Sequence, residues 1–337
     1  MPILPGLRPI VAVALCVGGL ASVAAQNGPR FVDITWMSMA NLHYQAGDEG
    51  IVTDGYITRI PEEAFFGGPS AVTTLLTGHS HWDHSFDTAT WSKLTGAPII
   101  GSRSTCLQAR AEEIPADRCT VVDGGEVIEL APGLTMFVVR WNHSGDPERN
   151  PEQHDPVELD AVPTPDPSTG GLRAGVAEDF PNGGGSRGFL FVADGPDGPF
   201  SWFQQSSASE VDIDVPVVVD GVDHGAPLAN LEAAMAQAGL ESVDLWIGTG
   251  GYSVARRVVP VIWPDYYLPI HWDGLWEPFE AGLPRLYAGG ELEAYSRDVA
   301  VELVPPAQYM DRWRLDASGL RPVNNDEVKQ TLGFDTR

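Results

Sequence analysis

Behind a short apolar run, Ala71–Leu76, the chain reads Thr77-Gly78-His79-Ser80-His81-Trp82-Asp83-His84, three histidines and a carboxylate within six residues. This stretch restricts the fold more than any other. A strand end is rigid, and the loop beyond it can turn several side chains toward one point. Neutral imidazoles meeting a carboxylate at such a point make a zinc site, or an iron or manganese site. His79 and His81 alternate by two and share a face in extended backbone. Asp83 and His84 lie past the bend, within reach of a second metal. The fold must then bring further ligands to this strand end. His143, behind the strand Thr135–Trp141, and His271, behind Tyr266–Ile270, are the candidates. Either histidine by itself reads as a hydrogen-bonded structural residue, and the cluster at His79–His84 reverses that reading. Of the other histidines, His43 reads as structural within a strand. His154 and the Asp223-His224 pair read as parts of solvated turns.

The rest of the chain supplies a frame large enough to hold such a site. It has 337 residues, 43% of them hydrophobic, with ten Trp, so a full-sized core is available. Strands are expected at Phe31–Met39, Gly50–Asp54, Ala97–Gly101 and in a series over Val121–Trp141. A hairpin spans Gly188–Gln205, and further strands lie at Val215–Val219, Val243–Ile247 and Tyr266–Ile270. Helices are expected at Phe86–Leu94, Thr105–Glu113, Leu228–Ala238 and in part of Ser253–Ile262, and another helix and strand pair closes the C-terminal third. Two β-rich halves with helices outside predict an α/β (α+β) fold, a four-layer αββα sandwich in one domain over residues 26–337. Residues 144–187 form a long Pro-, Gly- and Asp-rich loop, placed to cover the site because it starts beside His143.

A net charge of −26 excludes nucleic acid as a partner, since the field repels a phosphate backbone, and disfavours anionic lipid surfaces. Residues 1–25 read as a signal peptide: Arg8, then the apolar run Ile10–Val17, then Val23-Ala24-Ala25. The run is too short to span a bilayer of ~30 Å, so no stable membrane insertion is expected. The expected location is periplasmic or secreted. Cleavage would bring the mature charge to −27 and leave Cys106 and Cys119, either a disulfide or two buried thiols. Acidic residues of the 144–187 loop, Asp146, Glu148, Glu152, Asp155 and others, favour a neutral or cationic small-molecule substrate over a polyanionic one.

The motif resembles that of the metallo-β-lactamase superfamily, His-x-His-x-Asp-His behind a strand, and the resemblance covers roughly Phe31 to Asp316. It includes Asp54, in Val52-Thr53-Asp54-Gly55, which matches the family's Asp closing its second strand. The resemblance implies an αββα sandwich with metals at one edge between the sheets. Carried over, His79, His81 and His143 would hold one metal, and Asp83, His84 and His271 would help hold another, with Zn2+ the expected ion and Fe or Mn the alternatives. The family's bridging Asp is not in its usual place. Gln205 stands in the matching hairpin, and Asp220, behind Val217–Val219, is the rival. An amide is a weaker ligand than a carboxylate, so one or two metals remain open. The implied activity is hydrolysis of an ester, lactone or amide carbonyl by metal-bound hydroxide, with Asp83 orienting it and handling its proton. The alternatives are a phosphodiesterase of the same fold, or a degenerate metal- or ligand-binding protein without hydrolysis. Trp82, Tyr252, Trp272 and Trp276 are candidate pocket walls, or ordinary core aromatics.

Overall fold

Strands carry the frame, and their alternation sorts side chains between three cores. The structure is a computed structural model describing residues 28–55, 72–169, 171–173, 176–273, 282–287 and 289–333. The expected signal segment, residues 1–25, and Trp276 lie outside the described residues. Strands β1 (Val32–Ser38), β2 (Asn41–Ala46), β3 (Glu49–Thr53), β4 (Thr74–Leu76), β5 (Ile99–Gly101) and β6 (Cys119–Val121) lie side by side in that order. The chain then crosses to a second sheet through β7 (Val127–Ala131), β8 (Leu134–Trp141), β9 (Ser186–Gly195) and β10 (Gly198–Gln205). A surface ribbon, β11 (Val218–Val219) and β12 (Val222–Asp223), interrupts it. Strands β13 (Leu245–Gly248), β14 (Tyr266–Pro269) and β15 (Glu302–Leu303) complete the second sheet. Finally β16 (Arg312–Asp316) and β17 (Gly319–Val323) return to the first sheet, with β16 antiparallel to β1.

Because successive strand residues face opposite ways, each strand feeds two cores. In the first sheet Ile34, Trp36, Leu42, Tyr44, Ile51, Leu76 and Ile100 face the second sheet, where they meet Met136, Val138, Phe189, Phe191, Trp202, Leu245 and Ile247. Their neighbours Met37, Val52, Leu75 and Ile99 face outward. There they pack under Ala89 and Trp91 of helix α2 (Thr88–Thr95) and Ala109 of helix α3 (Arg103–Ala111). In the second sheet Phe137, Val139, Trp141, Phe203, Trp246 and Tyr267 face outward under three more helices, α5 (Pro227–Ala238), α6 (Gly251–Ile262) and α7 (Glu291–Asp298). Both faces of both sheets are thus covered, which is the αββα sandwich expected from the element order.

Two features place the site. Strands β3, β4 and β5 are mutually parallel. In the other sheet β8 and β10 each run antiparallel to β9, and β10, β13 and β14 are mutually parallel. The C-terminal ends of β3, β4, β8, β10 and β14 therefore collect chemistry-bearing loops from both sheets. Short helices α1 (Trp82–Ser85) and α4 (Pro151–His154) lie in two of those loops.

One strand expectation fails. Val215–Val219 reads as buried, but only Val218–Val219 is a strand, and Val215 and Val218 are 53% and 52% exposed. This strand pairs with β12 alone, outside both large sheets, so only Val217 and Val219 of the segment are buried. Cys106 of α3 and Cys119 of β6 form a disulfide closing 13 residues of separation. Chain-entropy arguments give such a link about 3 kcal/mol. Reductant is expected to lower the thermal midpoint accordingly, and an unchanged Tm with free thiols confirmed would contradict this.

Candidate metal centre

The strand β4 ends where the motif begins, and backbone contacts hold the turn beyond it. Thr77 N–H donates to the Ile100 carbonyl at 3.0 Å, and Gly78 N–H to Asp54 Oδ1 at 2.7 Å. Position 78 has no room for a side chain, because a Cβ there would stand 2.3 Å from Ser206 Oγ. Ser80 is buried; its hydroxyl donates to the Pro181 carbonyl at 2.8 Å and accepts from Gly183 N–H at 2.9 Å. The far end of the long loop is thereby stitched to the motif.

Two groups of three ligand atoms result. His81 Nδ1 lies 3.1 Å from His79 Nε2 and 3.0 Å from His143 Nε2. Beside them, Asp83 Oδ2 lies 3.3 Å from both His84 Nε2 and His271 Nε2, and those two nitrogens are 3.1 Å apart. The groups adjoin, with the His79 and His84 ring centres separated by 3.9 Å. A tetrahedral ion with metal–nitrogen bonds of 2.0–2.1 Å needs ligand atoms about 3.3 Å apart. Both groups fit that spacing to within a few tenths of an ångström. All six residues that the motif resemblance selects are brought together.

The electrostatics suit the same reading. Burial holds His79 and His143 well below the usual histidine range, helped by their neighbouring imidazoles, and takes His81 down to about 4. The three rings are therefore neutral near pH 7, with lone pairs available. His143 Nδ1 donates to the Ser144 carbonyl at 2.8 Å, which leaves its Nε2 as the lone pair facing His81. Burial works against ionisation of Asp83, but His84 and His271 outweigh it and hold the carboxyl well below its usual value. For His84 burial is likewise outweighed, by Asp83 and Asp54, and its value rises to about 10. These carboxylates favour a positive charge at the second group. His79 Nδ1 is buried with no hydrogen-bond partner among the described residues.

Asp54 is a structural anchor. It is fully buried, bonds Gly78 with one oxygen, and places the other 3.5 Å from His84 Nδ1. Asp273 anchors the His271 loop indirectly, through Met39. Its carboxylate accepts from Met39 N–H at 3.1 Å, and His271 N–H donates to the Met39 carbonyl at 3.1 Å. His271 itself sits at φ 60°, a left-handed conformation. The place of Asp273 two residues past His271 is the available sequence signal, but its partner Met39 is remote in the chain.

The two candidates for the missing carboxylate separate. Gln205 ends β10, fully buried; its Nε2 donates to the Thr249 carbonyl at 3.0 Å and its Oε1 has no partner among the described residues. The residue that abuts Gly78 is the next one, Ser206, whose buried hydroxyl is also unpartnered among the described residues. Asp220 is corrected outright: it lies in the exposed turn between β11 and β12, 70% exposed and 3.3 Å from Arg103. A surface ribbon cannot deliver a carboxylate to a buried strand end.

The aromatic candidates divide as well. Trp272, beside His271, stacks on Trp36 at 6.2 Å and donates to the Pro269 carbonyl at 3.1 Å. Trp82 is half-buried against a small cluster of Ala111, Leu172 and Phe180. Tyr252 packs on Tyr295 at 5.6 Å, beside Arg256, on helix α6. His154, expected in a solvated turn, is instead buried 2.6 Å from Asp212. The long loop curls inward here, because Asn150 and Pro151 start the helical turn α4.

No family model matches the chain. It is similar to a UPF0173 metal-dependent hydrolase of Pyrobaculum arsenaticum, 27% identical over 118 residues, 34% of this chain and 51% of that protein. A protein of the same description from Chelativorans sp. is 27% identical over 107 residues, 31% of this chain and 46% of that protein. The chain spans about half the length of the curated relatives it matches. Among solved structures, the metallo hydrolase Igni18 of Ignicoccus hospitalis superposes with a TM-score of 0.53 at 13% identity, covering 84% of this chain and 98% of that one. The metallo-beta-lactamase fold protein YhfI of Bacillus subtilis gives 0.50 at 11% identity, covering 85% and 99%. An isothiocyanate hydrolase from Delia radicum gut bacteria gives 0.50 at 12%, covering 83% and 98%.

Proposed function

We propose that this chain, whose fold is that of the metallo-β-lactamases, is a metal-dependent hydrolase acting on an ester, lactone or amide carbonyl. The observation that carries the reading is the pair of adjoining ligand groups, His79/His81/His143 and Asp83/His84/His271, gathered at the strand ends. Zn2+ is the proposed ion, since three neutral imidazoles and a carboxylate with imidazoles suit it. When bound, such an ion polarises a substrate oxygen and lowers the pKa of water toward neutrality. The chain supplies the rest. The neutral rings of His79, His81 and His143 offer lone pairs without a proton to displace. Asp83, kept ionised between His84 and His271, accepts hydrogen bonds from a water nucleophile and orients it. Asp54 and Asp273 fix the loops that carry His84 and His271. Exposed acids just past His143, including Glu148, Glu152 and Asp155, favour neutral or cationic substrates at the entrance. The disulfide supports an exported protein, since such links persist in oxidising compartments.

A substrate panel on the purified chain tests this: neutral and cationic esters, lactones, β-lactams, an isothiocyanate and a phosphodiester, each before and after chelation with EDTA. Turnover of a carbonyl substrate is expected, lost on chelation and restored by Zn2+. Undiminished turnover by fully metal-free protein would overturn the mechanism. Preference for the phosphodiester would overturn the substrate class.

A further inference from the structure

The residues on either side of His143 are gripped by one ion pair, buried His154 with half-buried Asp212, that the hydrolytic reading leaves unused. His154, the last residue of α4, places Nε2 2.6 Å from Asp212 Oδ2 and Nδ1 3.4 Å from the Ser144 carbonyl oxygen. Both neighbours are acceptors, so both ring nitrogens carry hydrogen and His154 is an imidazolium. The raised pKa of His154, driven by Asp212 against burial, agrees with that assignment. The Ser144 carbonyl has two lone pairs. One receives His154, and the other receives His143 Nδ1–H at 2.8 Å. The second oxygen of Asp212 accepts from Asn142 Nδ2 at 2.7 Å, and the same amide donates to the Ser209 carbonyl at 2.9 Å. Asn142 precedes His143 and Ser144 succeeds it, so the ion pair fixes the backbone on both sides of the ring. Asn182 Nδ2, donating to the His154 carbonyl at 2.7 Å, holds α4 itself in place.

We propose that His154 and Asp212 are positioning residues for His143, holding its ring in the Nδ1–H tautomer with Nε2 aimed at the His79–His81 pair. The inference rests on the metal-centre reading above and assigns the support of its three-histidine group. It also gives α4 a purpose: a four-residue helical turn inside a Pro- and Gly-rich loop delivers one imidazole to one carbonyl. Partners that orient a ligating imidazole typically contribute about 10–100-fold in metal affinity.

The test is Zn2+ titration of the full chain against a chromophoric chelator, which reads the affinity of each equivalent. His154→Ala and Asp212→Ala are each expected to weaken one of two equivalents by about 10–100-fold and leave the other unchanged. The double variant should be no weaker than either single one, because the two side chains act as a unit. His154→Gln, whose amide can still donate to Ser144, should recover part of the loss. Thermal unfolding of the chelated proteins runs alongside. Unchanged affinity in all variants would overturn the positioning role alone. So would equal weakening of both equivalents in step with a lower Tm of the chelated protein, which marks a merely structural pair. A wild-type chain that binds no Zn2+ would overturn the metal centre itself and the positioning role with it.

Discussion

His81→Ala should remove one metal equivalent and lower kcat/KM for any hydrolysed substrate by at least about a thousandfold, several kcal/mol of transition-state stabilisation. The size of the effect comes from geometry. His81 Nδ1 is the shared point of its group, within 3.1 Å of both other nitrogens, so its loss leaves two imidazoles facing an empty corner. The fold should survive. His81 precedes α1 without a side-chain capping bond and is only half-buried, so its ring supports no element. Metal quantification, unfolding of the chelated protein and kinetics on the best panel substrate check the three parts. Retention of both metal equivalents in the variant, or of a tenth of the activity, would contradict the assignment.

Asp54→Ala is expected to act on stability and site together. The change leaves the Gly78 N–H without its acceptor, at a cost of about 1–3 kcal/mol when buried. Asp54 also sits at φ 50°, which Asp tolerates better than Ala, for about a further 1 kcal/mol. The variant should unfold at a markedly lower denaturant midpoint. It should also bind the second metal equivalent more weakly, since His84 loses the carboxylate 3.5 Å from its Nδ1. Asp54→Asn separates the two effects. It restores an acceptor for Gly78 but not the charge beside His84, so stability should largely return while the affinity defect persists. Wild-type stability and metal binding in Asp54→Ala would show that the anchor is idle.

The legible part of the molecule is local. The helix Leu228–Ala238 is bounded to within a residue, because an apolar stripe and Gly239 mark it. The hairpin Gly188–Gln205 is announced by its Asp194–Gly198 turn, and the motif by its own density of ligands. The illegible part is remote or cooperative. Val215–Val219 has the composition of a buried strand, yet neither large sheet accepts it, so Val215 and Val218 stay exposed while Val217 and Val219 turn inward. His154 sits in a stretch without periodicity, so nothing nearby reveals that Asp212, 58 residues on, draws it inside. Gln205 and Asp220 each end an apolar segment, and on paper only its place in the matching hairpin favours Gln205. The approach of the β10 end to the β4 end, with Ser206 pressed against Gly78, sets them apart in space.

The sequence by itself determined which residues offer lone pairs, and at what local spacing. His79, His81, Asp83 and His84 must lie close to one another in any fold, because chain connectivity allows nothing else. The tertiary structure alone decided that His143 and His271 join them, 62 and 187 residues away from their contacts. It also decided that Asp220 stays outside, and that His143 is backed by an ion pair from the loop it opens. Those outcomes depend on two sheets aligning the ends of their parallel strands, a property of the assembled core that no window of sequence contains.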